Sequence, residues 1–147
     1  MQVVAFAASL SVVVQDRGGV RADGFPLTGT YVDSFPEQIT VPLVLAVYTR
    51  GGSDYDPRQY IVATSPHGER LSVLECSWHW PDQPGIPVKY WVLARHLTFV
   101  VKSPGVYSVG LYDTPDATET DHQFLLPVLK ANPLLPPPPQ ASTRNQL

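Results

Sequence analysis

The sequence predicts an all-β protein: an antiparallel β-sandwich of about seven to eight strands, immunoglobulin-like or jelly-roll-like, with a proline-rich C-terminal tail. Three observations predict it. Sixteen prolines are spread over 147 residues and leave little room for long helices. The apolar runs are dominated by Val, Ile, Thr, Tyr and Phe and alternate in character, the period-two pattern of strands with one buried face. Turn residues punctuate these runs at short intervals, as in "SPHGE" (Ser65 to Glu69) and "SPG" (Ser103 to Gly105).

Seven strands are expected in order. The first is Val3 to Val14, with Phe6, Leu10, Val12 and Val14 on one face. The second is Ile39 to Thr49, with Leu43, Leu45 and Val47 inward and Pro42 marking an edge or bulge. Gln59 to Thr64 is the third. The fourth, Arg70 to Trp80, aligns Leu74, Cys76, Trp78 and Trp80. Lys89 to Lys102 is the fifth and turns Trp91, Leu93, Leu97, Phe99 and Val101 inward, with Arg95 among them. The sixth, Val106 to Tyr112, buries Tyr107, Val109 and Leu111, and "SPG" reads as the hairpin turn that feeds it. The seventh is His122 to Leu129, with Phe124, Leu126 and Val128 inward. The stretch from Gln15 to Gln38 is long for a loop and is expected to hold a short strand at Thr30 to Val32.

These elements define one domain, 1–131. From 132 to 147 the composition changes to "NPLLPPPPQASTRNQL", which cannot pack a core and is expected to be extended or disordered. Four consecutive prolines could serve as a ligand for an aromatic groove, or as a linker.

Net charge is −3, and arginines and lysines are scattered without a run, so neither a nucleic-acid footprint nor a polybasic membrane anchor is present. The apolar N-terminus lacks a positively charged leader pattern and reads as a strand, and no apolar run reaches the roughly 18 residues of a membrane-spanning helix. The expected location is cytoplasmic. A single cysteine, Cys76, excludes an internal disulfide framework and a cysteine-cluster zinc site. Its setting in a strand makes it a small buried hydrophobe.

Catalytic motifs are missing. There is no glycine-rich phosphate loop, no GxSxG elbow and no HExxH, and the four histidines (His67, His79, His96, His122) lack metal-ligand spacing. Two features remain. Trp78, Trp80 and Tyr90 lie in the aromatic stretch "CSWHWPDQPGIPVKYW", and an exposed pair of such rings would make a stacking platform for a sugar or a protein hot spot. Trp80, beside Pro81 at the strand end, is the ring expected to be exposed and Trp78 the one expected inside. Strand parity supplies the second feature. Loops 50–58, 81–88 and 113–121 should fall at one end of the molecule. That end carries Asp54, Asp56, Asp113 and Asp116 among others, an arrangement that a calcium ion could use or that simply keeps loops soluble.

The N-terminal "VVAFAASLSVVV", the glycine turn "RGG" that follows it, "SFP" (Ser34 to Pro36) and the late "PGVYSVGLYD" together resemble a family of small bacterial or phage β-sandwich domains of unknown function. The resemblance spans roughly residues 3 to 129 and implies a fold without an activity. The long "SWHWPDQPGIPVKYW" insert departs from it.

The function expected from these readings is a non-catalytic β-sandwich that binds another protein or self-associates, needs no cofactor and contacts neither nucleic acid nor membrane. One alternative is a carbohydrate-binding module built on Trp78, Trp80 and Tyr90. The other is a metal-dependent enzyme, which would require a pocket where histidines, or a histidine and carboxylates, converge.

Overall fold

The computed structural model describes residues 1–132; the expected tail lies outside the described residues from Pro133 onward. Among the described residues there is no helix, and ten strands form three sheets. Among these residues no helix is therefore long and apolar enough to cross a membrane. The strands are β1 (Gln2–Ala8), β2 (Ser11–Val14), β3 (Val20–Asp23), β4 (Thr30–Val32), β5 (Glu37–Arg50), β6 (Arg58–Thr64), β7 (Arg70–Ser77), β8 (Val88–Val101), β9 (Gly105–Tyr112) and β10 (Gln123–Lys130). The larger sheets run β1-β5-β8 and β4-β10-β9-β6-β7, and β2 pairs with β3 alone.

The expected first strand is two strands. Alternation continues through Val3 to Val14, but Ser9 is buried and its amide bonds the Pro42 carbonyl, while the Leu10 amide bonds Asp23. The chain thus leaves the β1-β5-β8 sheet at Ser9 and starts a hairpin with β3, a strand the sequence did not signal. Gly18 and Gly19 close that hairpin at φ 93° and 78°, where a side chain would be strained. The short strand expected at Thr30 to Val32 is present as β4, and it pairs in parallel with β10, so the sheets are not purely antiparallel.

A second correction concerns "SPG". β8 and β9 belong to different sheets, so this turn carries the chain across the core rather than closing a hairpin between paired strands. The Tyr107 hydroxyl donates to the Ser103 carbonyl at 2.8 Å and fastens the corner.

The inward faces follow the sequence. Leu43, Leu45 and Val47 of β5 join Leu93, Leu97 and Phe99 of β8, and Tyr107, Val109 and Leu111 of β9 join Leu126 and Val128 of β10, in one buried cluster. Aromatic pairs link the sheets: Phe6 meets Phe124 edge-on at 5.1 Å, and Phe99 lies 6.1 Å from Tyr107. Cys76 is buried, and burial raises its thiol above the ordinary value against the lowering effect of the Arg95 charge.

Candidate functional site

The register places loops 51–57, 78–87 and 113–122 at one end, because Arg50 pairs with Val88, Arg58 with Ser77 and Tyr60 with Tyr112. Within it the first two loops are knitted together. The Asp82 amide bonds the Asp54 carboxylate, and Asp82 Oδ1 accepts from the Gly52 amide at 2.8 Å. Asp56 meets His79 Nδ1 at 2.7 Å. These carboxylates act as loop fasteners.

The third loop behaves differently. Asp113 accepts from the buried Gln59, through Nε2, at 3.0 Å. Beyond it the chain is fastened to Arg70, whose guanidinium donates to the Pro115 and Ala117 carbonyls and lies 5.6 Å from the centre of the Tyr112 ring. Gly110 admits that ring: a Cβ there would approach it to 2.6 Å. Asp116 sits in this Arg70-held loop. Among the described residues no group of three or more His, Cys, Asp or Glu side chains could hold a metal ion. A cleft of about 390 Å³ is lined by Asp113, Glu119, Asp121 and His122. Among the described residues the one histidine ring with a hydrogen bond is that of His79.

Trp78 and Trp80 share a face as expected, but the expected exposure of Trp80 is reversed. It is 1 % exposed and Trp78 7 %. The reason is tertiary: Tyr55 forms a two-bond bridge with Trp80, laying the 51–57 loop over the ring, with Tyr55 and Trp80 centroids 5.5 Å apart. Trp78 stacks on Trp91 at 6.4 Å and 12°. The Tyr55 hydroxyl and both indole N–H groups are buried without a protein partner. Tyr90 is exposed, but it lies on the outer face of β8 beside Tyr48, tilted by 41°. Trp78, Trp80 and Tyr90 therefore present no exposed coplanar pair. Lys89 points inward from the same strand, and its ammonium donates to the Ser53 carbonyl at 2.6 Å.

A surface the sequence reading passed over is the outer face of β9, β10 and β4. Leu125, Pro127 and Leu129 alternate with the inward Leu126 and Val128, so they face outward. Leu125 is 59 % exposed, Val106 50 % and Tyr31 46 %. Pairing makes these positions neighbours: Val106 opposes Pro127, and Tyr31 opposes Leu129. The face runs into a groove of about 810 Å³ walled by Phe25, Pro26, Tyr31, Pro127 and Leu129. Asp33 is the sole charged residue lining the groove among the described residues. The signal was in "FLLPVL" (Phe124 to Leu129). Six consecutive apolar residues make a strand apolar on both faces, and both faces of such a strand are normally covered.

Compared with protein-family models, with curated proteins and with solved structures, the chain finds no match.

Proposed function

We propose that this protein is a non-catalytic assembly module that associates with another protein chain, first of all a copy of itself, through the apolar face of β9, β10 and β4. The observation that carries the reading is the contiguous set Val106, Leu125, Leu129 and Tyr31, exposed around the half-buried Pro127 where a solvated sheet face would carry polar residues. The flanking groove, with Phe25 and Tyr31 exposed at its edge, has the aromatic character of protein-binding surfaces.

The same reading takes the two larger sheets as the layers of a sandwich of the immunoglobulin-like kind. The bond from Tyr107 back to Ser103, at a corner where the chain changes sheets, supports it, because immunoglobulin-like sandwiches fasten such a corner with a tyrosine hydroxyl.

The test is sedimentation velocity on the full chain from about 1 to about 200 µM, the range in which micromolar association shows. Concentration-dependent association is expected, with Leu125→Lys and Leu129→Lys each shifting the chain toward monomer while the far-ultraviolet spectrum and urea midpoint stay near wild type. A chain that remains monomeric throughout, or association untouched by both substitutions, overturns the proposal.

A further inference from the structure

We infer that the groove walled by Phe25, Pro26, Tyr31, Pro127 and Leu129 receives the proline-rich segment Pro133 to Pro139 of a second copy of this chain. The inference rests on the assembly reading above and names the occupant.

Four observations lead to it. First, the groove has the chemistry of a proline-rich peptide site. Two exposed aromatic rings, Phe25 and Tyr31, stand beside two prolines, with one carboxylate on the lining, and polyproline II segments dock in aromatic-lined, weakly charged grooves. Second, the chain supplies a matching ligand. "PLLPPPP" (Pro133 to Pro139) has no charge and combines two leucines with five prolines. Third, the two are adjacent in the chain: Ala131 both lines the groove and bonds, through its amide, to the Val32 carbonyl, two residues before Pro133.

The fourth observation selects a second copy over the chain's own groove. β10 runs parallel to β4, and its last residues pass Thr30, Tyr31 and Val32 in that order. The walls formed by Pro127 and Leu129 therefore lie behind the point of exit. To fill its own groove the chain would have to reverse at once. Residues that precede proline are held in extended backbone. Asn132, Leu135, Pro136, Pro137 and Pro138 all precede proline, which leaves Pro133 and Leu134 to make the reversal. A segment of seven residues spans about 20 Å when it adopts polyproline II, far enough to lie along a neighbouring molecule. Such an exchange is reciprocal, each copy lending its segment to the other.

The test uses the full chain throughout. A tail variant carries Leu134→Ser with Leu135→Ser. A groove variant carries Phe25→Ser with Tyr31→Ser, and Tyr31→Ser alone serves if the double change unfolds the protein. Urea midpoints confirm folding, and sedimentation velocity reads association. Each variant alone should associate at least about tenfold more weakly than wild type. An equimolar mixture of the two should recover a heterodimer, because one intact segment then meets one intact groove. A tail variant that associates like wild type, while Leu125→Lys still disrupts, keeps the assembly reading and overturns this one. A mixture that stays monomeric also overturns it. A monomeric wild type whose amides at 25–31 exchange faster in the tail variant would place the segment in its own groove, and would overturn both readings.

Discussion

Tyr107→Phe isolates a single hydrogen bond at the corner between the sheets. The substitution removes the hydroxyl that donates to the Ser103 carbonyl at 2.8 Å and leaves the ring to pack 6.1 Å from Phe99. A neutral hydrogen bond contributes a net 0.5–1.5 kcal/mol or so, and losing a donor costs more only when the acceptor is left dry. Ser103 is half-buried, so water can reach its carbonyl in the variant. The expected loss is about 1 kcal/mol, seen as a fall of about 3–4 °C in Tm for a chain of this size. Phe99→Ala provides the scale. Phe99 is buried in the shared core, and its truncation should cost about 3–5 kcal/mol. Urea titrations followed by tryptophan fluorescence measure both, with unchanged m-values showing that the unfolding transition is the same. If Tyr107→Phe costs less than about 0.3 kcal/mol, the hydroxyl does not fasten the corner. If it costs as much as Phe99→Ala, the bond positions the whole ring and the reasoning from one hydrogen bond fails.

The Cys76 thiol should resist a thiol-reactive dye in the folded protein at pH 8 and react once urea unfolds the chain; fast reaction of the native state would show that the β7 strand opens easily. Because burial raises that thiol above its ordinary value of 9.0, its contribution to stability is full below pH 9 and is lost as pH rises through the folded value, so urea midpoints measured upward from pH 8.5 should fall, and should fall less in Cys76→Ala. Arg70→Ala releases the Pro115 and Ala117 carbonyls, and amides in the 113–118 loop should exchange faster while the core amides of β6 and β9 do not; unchanged exchange in the loop would mean that Arg70 does not hold it. Thermal melts in millimolar calcium and in chelator should superimpose, and a rise with calcium would revive a cation site among Asp54, Asp56, Asp113 and Asp116.

Period-two alternation made the inner faces of β5, β8, β9 and β10 legible, down to Arg95 keeping inward parity among apolar neighbours. Alternation reports a face, not a partner. It therefore could not show that β8 and β9 part at Ser103, or that the run from Val3 to Val14 changes sheets at Ser9. β3 escaped notice because "VRAD" is short and half charged, and its existence depends on the hairpin with β2. Trp80 was misjudged for a related reason. A strand end beside a proline looks open until the Tyr55 loop, remote in the chain, lies across it. The outer face of β10 needed no tertiary information. Leu125, Pro127 and Leu129 interleave with the inward set Phe124, Leu126 and Val128, so the one apolar run marks both faces at once.

The parallel pairing of β4 with β10 also sets an order of events during synthesis. β4 lies at the sheet edge, and β10 is its one neighbour there. Thr30 to Val32 are made 98 residues before their partners Val128 to Lys130. Until then the β9 edge that β10 will occupy also stands open, next to the apolar side chains of Val106 and Tyr107. Closing so large a loop is entropically slow, and unpaired edges recruit other strands in the interval. The nascent chain should thus be most vulnerable to aggregation just before β10 emerges, and holding factors that bind apolar extended segments would act in that window.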